Sequence, residues 1–127
     1  MSKAPGLKRV SVKPGTRLFR EGDPADNAFI VEDGKIEISK RVPGGEHVVI
    51  SVLTRGALFG EMALIDAAPR GASARATCET TLMVIPRQEF ERRLEKLDPF
   101  MKRVLTAFVS KLRNATAELA NKTTIVR

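Results

Sequence analysis

Between residues 10 and 85 apolar side chains come in short bursts, separated by clusters of glycine, proline and acid. Val10 and Val12 alternate with Ser11 and Lys13, and the pairs Phe29/Val31 and Ile36/Ile38 repeat that two-residue period. Such a period puts successive side chains on opposite faces of an extended strand. "VVISVL" at 48–53 is rich in β-branched residues and predicts a strand buried on both faces; "TTLMVI" at 80–85 predicts another. Turn signals fall between the bursts: "KPG" at 13–15, "EGDPADN" at 21–27, "EDG" at 32–34 and "VPGGE" at 42–46. Asp33-Gly34 between two apolar runs predicts a hairpin. Many short strands broken by Gly and Pro favour a sandwich or a jelly-roll barrel.

The period changes over residues 86–122. Pro86 suits a first helical turn, and Phe90 and Leu94 then lie four apart. Asp98 followed by Pro99 predicts an N-cap and the start of a second helix. Met101, Val104, Leu105, Phe108 and Leu112, extended by Ala115 and Leu119, recur at spacings of three and four. That stripe predicts a helix packed on the barrel. Residues 123–127 read as a frayed end. The layout over 1–127 is one domain, a β region at about 10–85 and a helical hairpin at about 86–122, with no linker or internal repeat.

Composition narrows the function classes. A chain of 127 residues with 43% hydrophobic side chains suits a single domain with its own core. The single cysteine, Cys78, excludes an internal disulfide framework. With no secretory leader and no apolar run of membrane length, the chain reads as a soluble, cytoplasmic protein with no membrane contact. One histidine, His47, argues against a transition-metal site, so no metal and no enzyme activity are expected. The Asp23–Asp26 turn has too few ligands for a calcium loop. The net charge of +7 is divided as +2 over residues 1–85 and +5 over 86–127. The excess lies on the helices, where charge is usually solvated, and no DNA-binding segment is recognisable. His47 and Arg75 read as exposed strand residues, Cys78 and Met62 as buried ones.

Residues 59–76, "FGEMALIDAAPRGASARA", are the least strand-like part of the β region. Gly60 lets a ligand approach the main chain. Met62 to Ile65 can form one helical turn whose start offers free amides to an anion, and Ala63 leaves the approach open. Arg70 carries a planar fork suited to phosphate, aimed by Pro69, with the amides of Gly71 and Ala72 beside it. Glu61 would repel phosphate but can accept from a hydroxyl on the same ligand. Separately, Glu61 could merely favour a helix start and Arg70 could be a solvated surface residue; at this spacing they describe a pocket for a ligand with one phosphate and one nearby hydroxyl.

The pattern Phe-Gly-Glu-x-Ala-Leu, a short spacer and Pro-Arg-x-Ala-Ser resembles the phosphate-binding cassette of cyclic nucleotide-binding domains. "VKPGTRLFREGDPADNAFIVEDGKIEI" at 12–38 is similar to that family's opening strands, and the helices after Pro86 to its hinge and lid. The resemblance implies an eight-stranded β-roll with a helical lid and a regulatory role as a sensor of cyclic nucleotide. It implies that Glu61 holds the ribose 2′-hydroxyl and Arg70 the cyclic phosphate, with Gly60, Ala63, Gly71 and Ala72 completing the cradle. Where the family uses a Thr after the arginine to favour cGMP, this chain has Gly71, which favours cAMP, with Ser73 near enough to leave cGMP open. Leu53 is a candidate wall for the base, Leu112 or Arg113 the lid residue, and Phe90 and Leu94 the hinge. The remaining readings are a ligand-independent interaction module on the same fold and a cupin-type enzyme. The effector protein and the oligomeric state are left open. The short lead-in after Met1 favours a free-standing protein over a piece of a longer one.

Overall fold

The structure is a computed structural model that describes residues 7–126, and side chains as far as Glu118. Eight strands are found among these residues: β1 (Lys8–Val12), β2 (Arg17–Phe19), β3 (Asn27–Asp33), β4 (Ile36–Arg41), β5 (His47–Leu53), β6 (Leu58–Phe59), β7 (Ser73–Ala76) and β8 (Thr80–Pro86). A single helical turn, α1 (Met62–Ile65), interrupts them, and α2 (Arg87–Leu94) and α3 (Pro99–Val126) follow. The strands form two four-stranded antiparallel sheets ordered β1-β8-β3-β6 and β2-β7-β4-β5.

The alternating residues identified in the sequence close the space between the sheets. Phe29, Val31, Ile36, Phe59, Ala74, Ala76 and Leu82 form one buried cluster. Phe19 joins it at the end of β2, with its ring centroid 6.0 Å from that of Phe29, while Phe29 and Phe59 stack at 5.1 Å. Offset rings at these separations add to the area they bury. A second cluster of Ala25, Ala28, Ala63 and Leu64 is covered by Ile85 and by Phe90 of α2, so the hinge candidate Phe90 packs directly on the helical turn of 59–76.

Asp33-Gly34 does not make a hairpin. β3 and β4 belong to different sheets, and the turn carries the chain from one to the other. Gly34 has φ +109°, and a Cβ there would stand 2.7 Å from Thr80 Cα and 2.8 Å from Glu79 O. The dipeptide is selected by this corner and by β8 passing beneath it, not by a two-residue hairpin.

The strand at 48–53 also differs from expectation. β5 is the last strand of its sheet, and Val49 and Val52 are about half exposed. β-branched residues favour an extended backbone whether or not both faces are covered. Cys78 is only half-buried.

Helix α3 starts as predicted, with Asp98 Oδ1 accepting from the Met101 N–H at 2.8 Å. Its inward line is a different one. Val109 is buried, and Leu105, Arg113, Thr116 and Ala117 are half-buried, whereas Met101, Phe108, Leu112 and Ala115 are exposed. Helical spacing defines a stripe but not which stripe meets the barrel, and here a line one position round, partly polar, makes the contact. Of the expected stripe, Val104 and Leu105 are half-buried; the Leu119 side chain lies outside the described residues.

Candidate functional site

β6 ends at Phe59, paired opposite Phe29 of β3, and the chain turns at Gly60 with φ +80°. The turn α1 buries Ala63 and Leu64. Asp66 then caps an Asx turn, accepting from the Ala68 N–H at 3.1 Å, and Ala67 takes a left-handed φ of 56°. This path returns the chain to Arg70 and β7, enclosing a cavity of about 210 Å³. Its walls are Ile38 and Ile50 on the sheet, Gly60 to Ala63 and Arg70 to Ala72 on the loop, and Arg113 and Thr116 on α3.

Arg70 is the chemical centre of this cavity. It is 5% exposed and its guanidinium lies 4.0 Å over the Phe19 ring. Nη1 donates to Gly60 O at 2.6 Å and Nη2 to Asn27 O at 2.5 Å, while Nε is buried with no partner among the described residues. The backbone of Arg70 is fixed on both sides, its N–H donating to Asp23 O and its O accepting from Gly22 N–H, each at 2.8 Å. Burial lowers the pKa; Asp26, Asp23 and Glu61 act against that from a distance and Arg87 reinforces it. Among the described residues no carboxylate makes an ion pair with this cation. A buried guanidinium with neutral partners and a spare N–H is incomplete without an anion.

Glu61 precedes α1 and lines the same cavity. Burial raises its carboxyl pKa, opposed by its own backbone N–H and by Arg70. The amides of Ala63, Gly71 and Ala72 meet no acceptor among the described residues. One cavity thus presents a cation, open amides and an acid, beside apolar walls.

A family model described as "cyclic nucleotide-binding domain" matches residues 9–96, the β region and α2 together. The chain belongs to the cyclic nucleotide-binding domain family. It is 26% identical over 115 residues, 91% of this chain and 51% of the other, to the CRP-like cAMP-activated global transcriptional regulator of Mycobacterium tuberculosis. It is 35% identical over 113 residues to the cAMP-dependent protein kinase regulatory subunit of Emericella nidulans, covering 89% of this chain and 26% of that one. Among solved structures, the cAMP-bound form of the EAL enzyme Bd1971 superposes with a TM-score of 0.82 at 30% identity, over 89% of this chain and 30% of that chain. The chain spans about half the length, or less, of these relatives, and the enzyme shares only a part with it. The two-sheet β-roll is therefore the family fold.

For a cyclic nucleotide-binding domain, the cavity residues can be sorted by where they lie. Gly60, Glu61, Ala63, Arg70, Gly71 and Ala72 all line it, and Arg113 reaches it from α3. Leu53 does not: it is paired opposite Ile36 and packs on the central core. Leu112 points outward and is 54% exposed. Ser73 is buried, and its Oγ accepts from the Glu21 N–H at 2.9 Å outside the cavity. These three do not line the cavity, because strand alternation and helix phase turn them elsewhere.

Four contributors have no sequence signal. Phe19 lies under Arg70, and Asn27 supplies a carbonyl. Lys40 lines the cavity, donating to Gly71 O at 2.7 Å and to Glu21 Oε2 at 3.1 Å. Asp66 holds Arg113 with two hydrogen bonds, Nε–Oδ2 at 2.5 Å and Nη2–Oδ1 at 3.3 Å. Each depends on strand register or helix placement, which spacing along the chain does not carry. Among the described residues no group of three His, Cys, Asp or Glu could hold a metal ion, and no helix is long and apolar enough to cross a membrane.

Proposed function

We propose that the chain is a regulatory module that binds a 3′,5′-cyclic nucleotide, with cAMP preferred over cGMP. The cyclic phosphate pairs with Arg70 and with the amides of Ala63, Gly71 and Ala72; the ribose hydroxyl donates to Glu61; the purine lies toward Ile38, Ile50 and the α3 residues Arg113 and Thr116. The single observation that carries this reading is the buried Arg70 guanidinium, held by carbonyls with Nε unpaired. Gly71 offers no hydroxyl to a guanine, which supports the preference for cAMP. Relatives described as cAMP-activated or cAMP-dependent support the same ligand class, and the EAL enzyme is known in cAMP-bound and cGMP-bound forms.

The regulatory output is a change in α3. Arg113 spans from that helix to Asp66 and to Pro69 O, so whatever fills the cavity competes with or reinforces this tether and shifts the balance between helix positions. Calorimetric titration tests the binding step. Wild type binds cAMP more tightly than cGMP, and Arg70→Ala loses about 2–5 kcal/mol of cAMP binding, the cost of leaving one partner of a buried charge pair alone. Equal affinity of wild type and variant defeats the assignment.

A further inference from the structure

A second cavity, of about 180 Å³, lies where Arg41 of β4 is paired opposite His47 of β5. Arg17, Arg20 and Arg41 line it together with His47, Glu21 and Ser73. None of the three guanidiniums has a hydrogen bond or ion pair among the described residues. Glu21 is the one acid lining the cavity, and its carboxylate is already engaged. Oε2 accepts from Lys40 Nζ at 3.1 Å and Oε1 from the Arg41 N–H at 2.9 Å. The Ser73 oxygen accepts from Glu21 N–H, which leaves its proton to donate. The other surface cavities differ in kind: Arg9 is paired with Glu32 beside Asp33 in one, and Glu91 and Glu95 stand beside Lys102 in another. Arg55 and Arg70 are single cations without an ion pair in two other cavities; three such cations line this one.

We propose that this cavity is a second anion site, for the dianionic phosphoryl group of a phosphate or phosphate monoester, separate from the Arg70 cavity. Three forks facing one hollow exceed what a single carboxylate can satisfy, whereas a phosphoryl group offers three oxygens and two charges. Glu21 lines the cavity with its carboxylate already paired with Lys40. The phosphoryl group can come from a free small molecule or from a phosphorylated side chain of a partner protein, and the chemistry of the site is the same for both.

His47 is the only histidine of the chain, so its ring proton resonances report on this cavity directly. The experiment follows them at fixed pH and ionic strength during titration with inorganic phosphate, then with a short phosphoserine peptide and its unphosphorylated form. A saturable shift with phosphate and with the phosphopeptide identifies a site that small phosphates fill. A saturable shift with the phosphopeptide alone identifies a protein-borne phosphoryl group. In either case Arg17→Ala/Arg41→Ala weakens binding about tenfold or more, while Arg103→Ala/Lys111→Ala, which removes the same charge from exposed positions on α3, leaves it unchanged. Since the Arg17 and Arg41 side chains are exposed and make no hydrogen bond or ion pair among the described residues, their loss leaves the fold intact, as circular dichroism checks. The proposal is overturned if neither probe saturates, if the unphosphorylated peptide shifts His47 equally, or if the two double variants behave alike. Arg70→Ala leaves the His47 shift in place, which keeps this site distinct from the nucleotide cavity.

Discussion

Gly60 has φ +80°, and a Cβ there would stand 2.9 Å from Arg70 Nη1 and 3.4 Å from the rings of Phe19 and Phe29. The arginine cannot swing aside freely, because Gly60 O, Asn27 O and the Phe19 face hold its guanidinium. Gly60→Ala therefore combines left-handed backbone strain with displacement of the Arg70 guanidinium. The expected cost is about 2 kcal/mol of stability, read from urea denaturation, with a loss of cAMP affinity in the same variant. Glu61 makes a prediction of the opposite kind. Burial raises its carboxyl pKa in the folded chain, so the folded state takes up a proton more readily than the unfolded one. The stability penalty from ionised Glu61 is absent below the unfolded pKa, grows through the window between the ordinary and the raised value, and is complete above it. Glu61→Gln removes the penalty. In the ligand-free protein the variant is more stable than wild type at neutral pH, and the difference disappears as pH falls through the carboxylate range. Thermal melts at a series of pH values check the sign; a difference that grows toward acid refutes it.

At the scale of elements, α3 separates what periodicity shows from what it does not. A spacing of three and four marks Met101, Phe108 and Leu112, but Val109 is the buried residue, 4% exposed against 54% for Leu112. Val109→Ala should cost about 1–3 kcal/mol through lost burial and a cavity, and Leu112→Ala no more than about 0.5 kcal/mol, as for other surface positions. The reverse order would place the sequence-predicted stripe against the barrel. The other elements sort by the same logic. Strand alternation at Phe29/Val31 and Ile36/Ile38 was legible because each pair has one face in the core. The burial of β5 does not follow from its sequence, because residue type reports backbone preference, while exposure of Val49 and Val52 follows from an edge position in the sheet order. The loop at 59–76 was legible because Gly60, Glu61 and Arg70 lie close in sequence. Phe19, Lys40 and Asp66 were not, since β2, β4 and α1 meet only through sheet register and loop path. The Lys40 amine then joins Gly71 O to the Glu21 carboxylate, a link that no local pattern announces.

For the whole molecule, the question is what ties the long helix to the roll. Apart from Val109, the residues of α3 that face inward are half-buried and partly polar, so apolar packing alone fixes the helix weakly. Among the described residues the Arg113–Asp66 pair is the principal specific tether, two hydrogen bonds between side chains that are 22% and 18% exposed, with Pro69 O accepting a third from the same guanidinium at 3.3 Å. A bidentate, partly buried pair of this kind is worth about 1–2 kcal/mol. Asp66→Ala removes it and also the Asx turn at Ala68, so Arg113→Gln serves as the companion variant that spares the loop. Both should speed amide exchange in residues 105–118 about tenfold, while amides of the paired strands β3 and β8 keep their protection, since the core between the sheets does not involve the pair. The double variant Asp66→Ala/Arg113→Gln should exchange well short of additively in α3, little faster than Asp66→Ala, because the ion pair is already gone and only the 3.3 Å bond to Pro69 O is left for the second change to remove. Additive effects would mean that the two side chains hold the helix independently, and α3 would then be fixed by packing rather than by the one contact that also borders the Arg70 cavity.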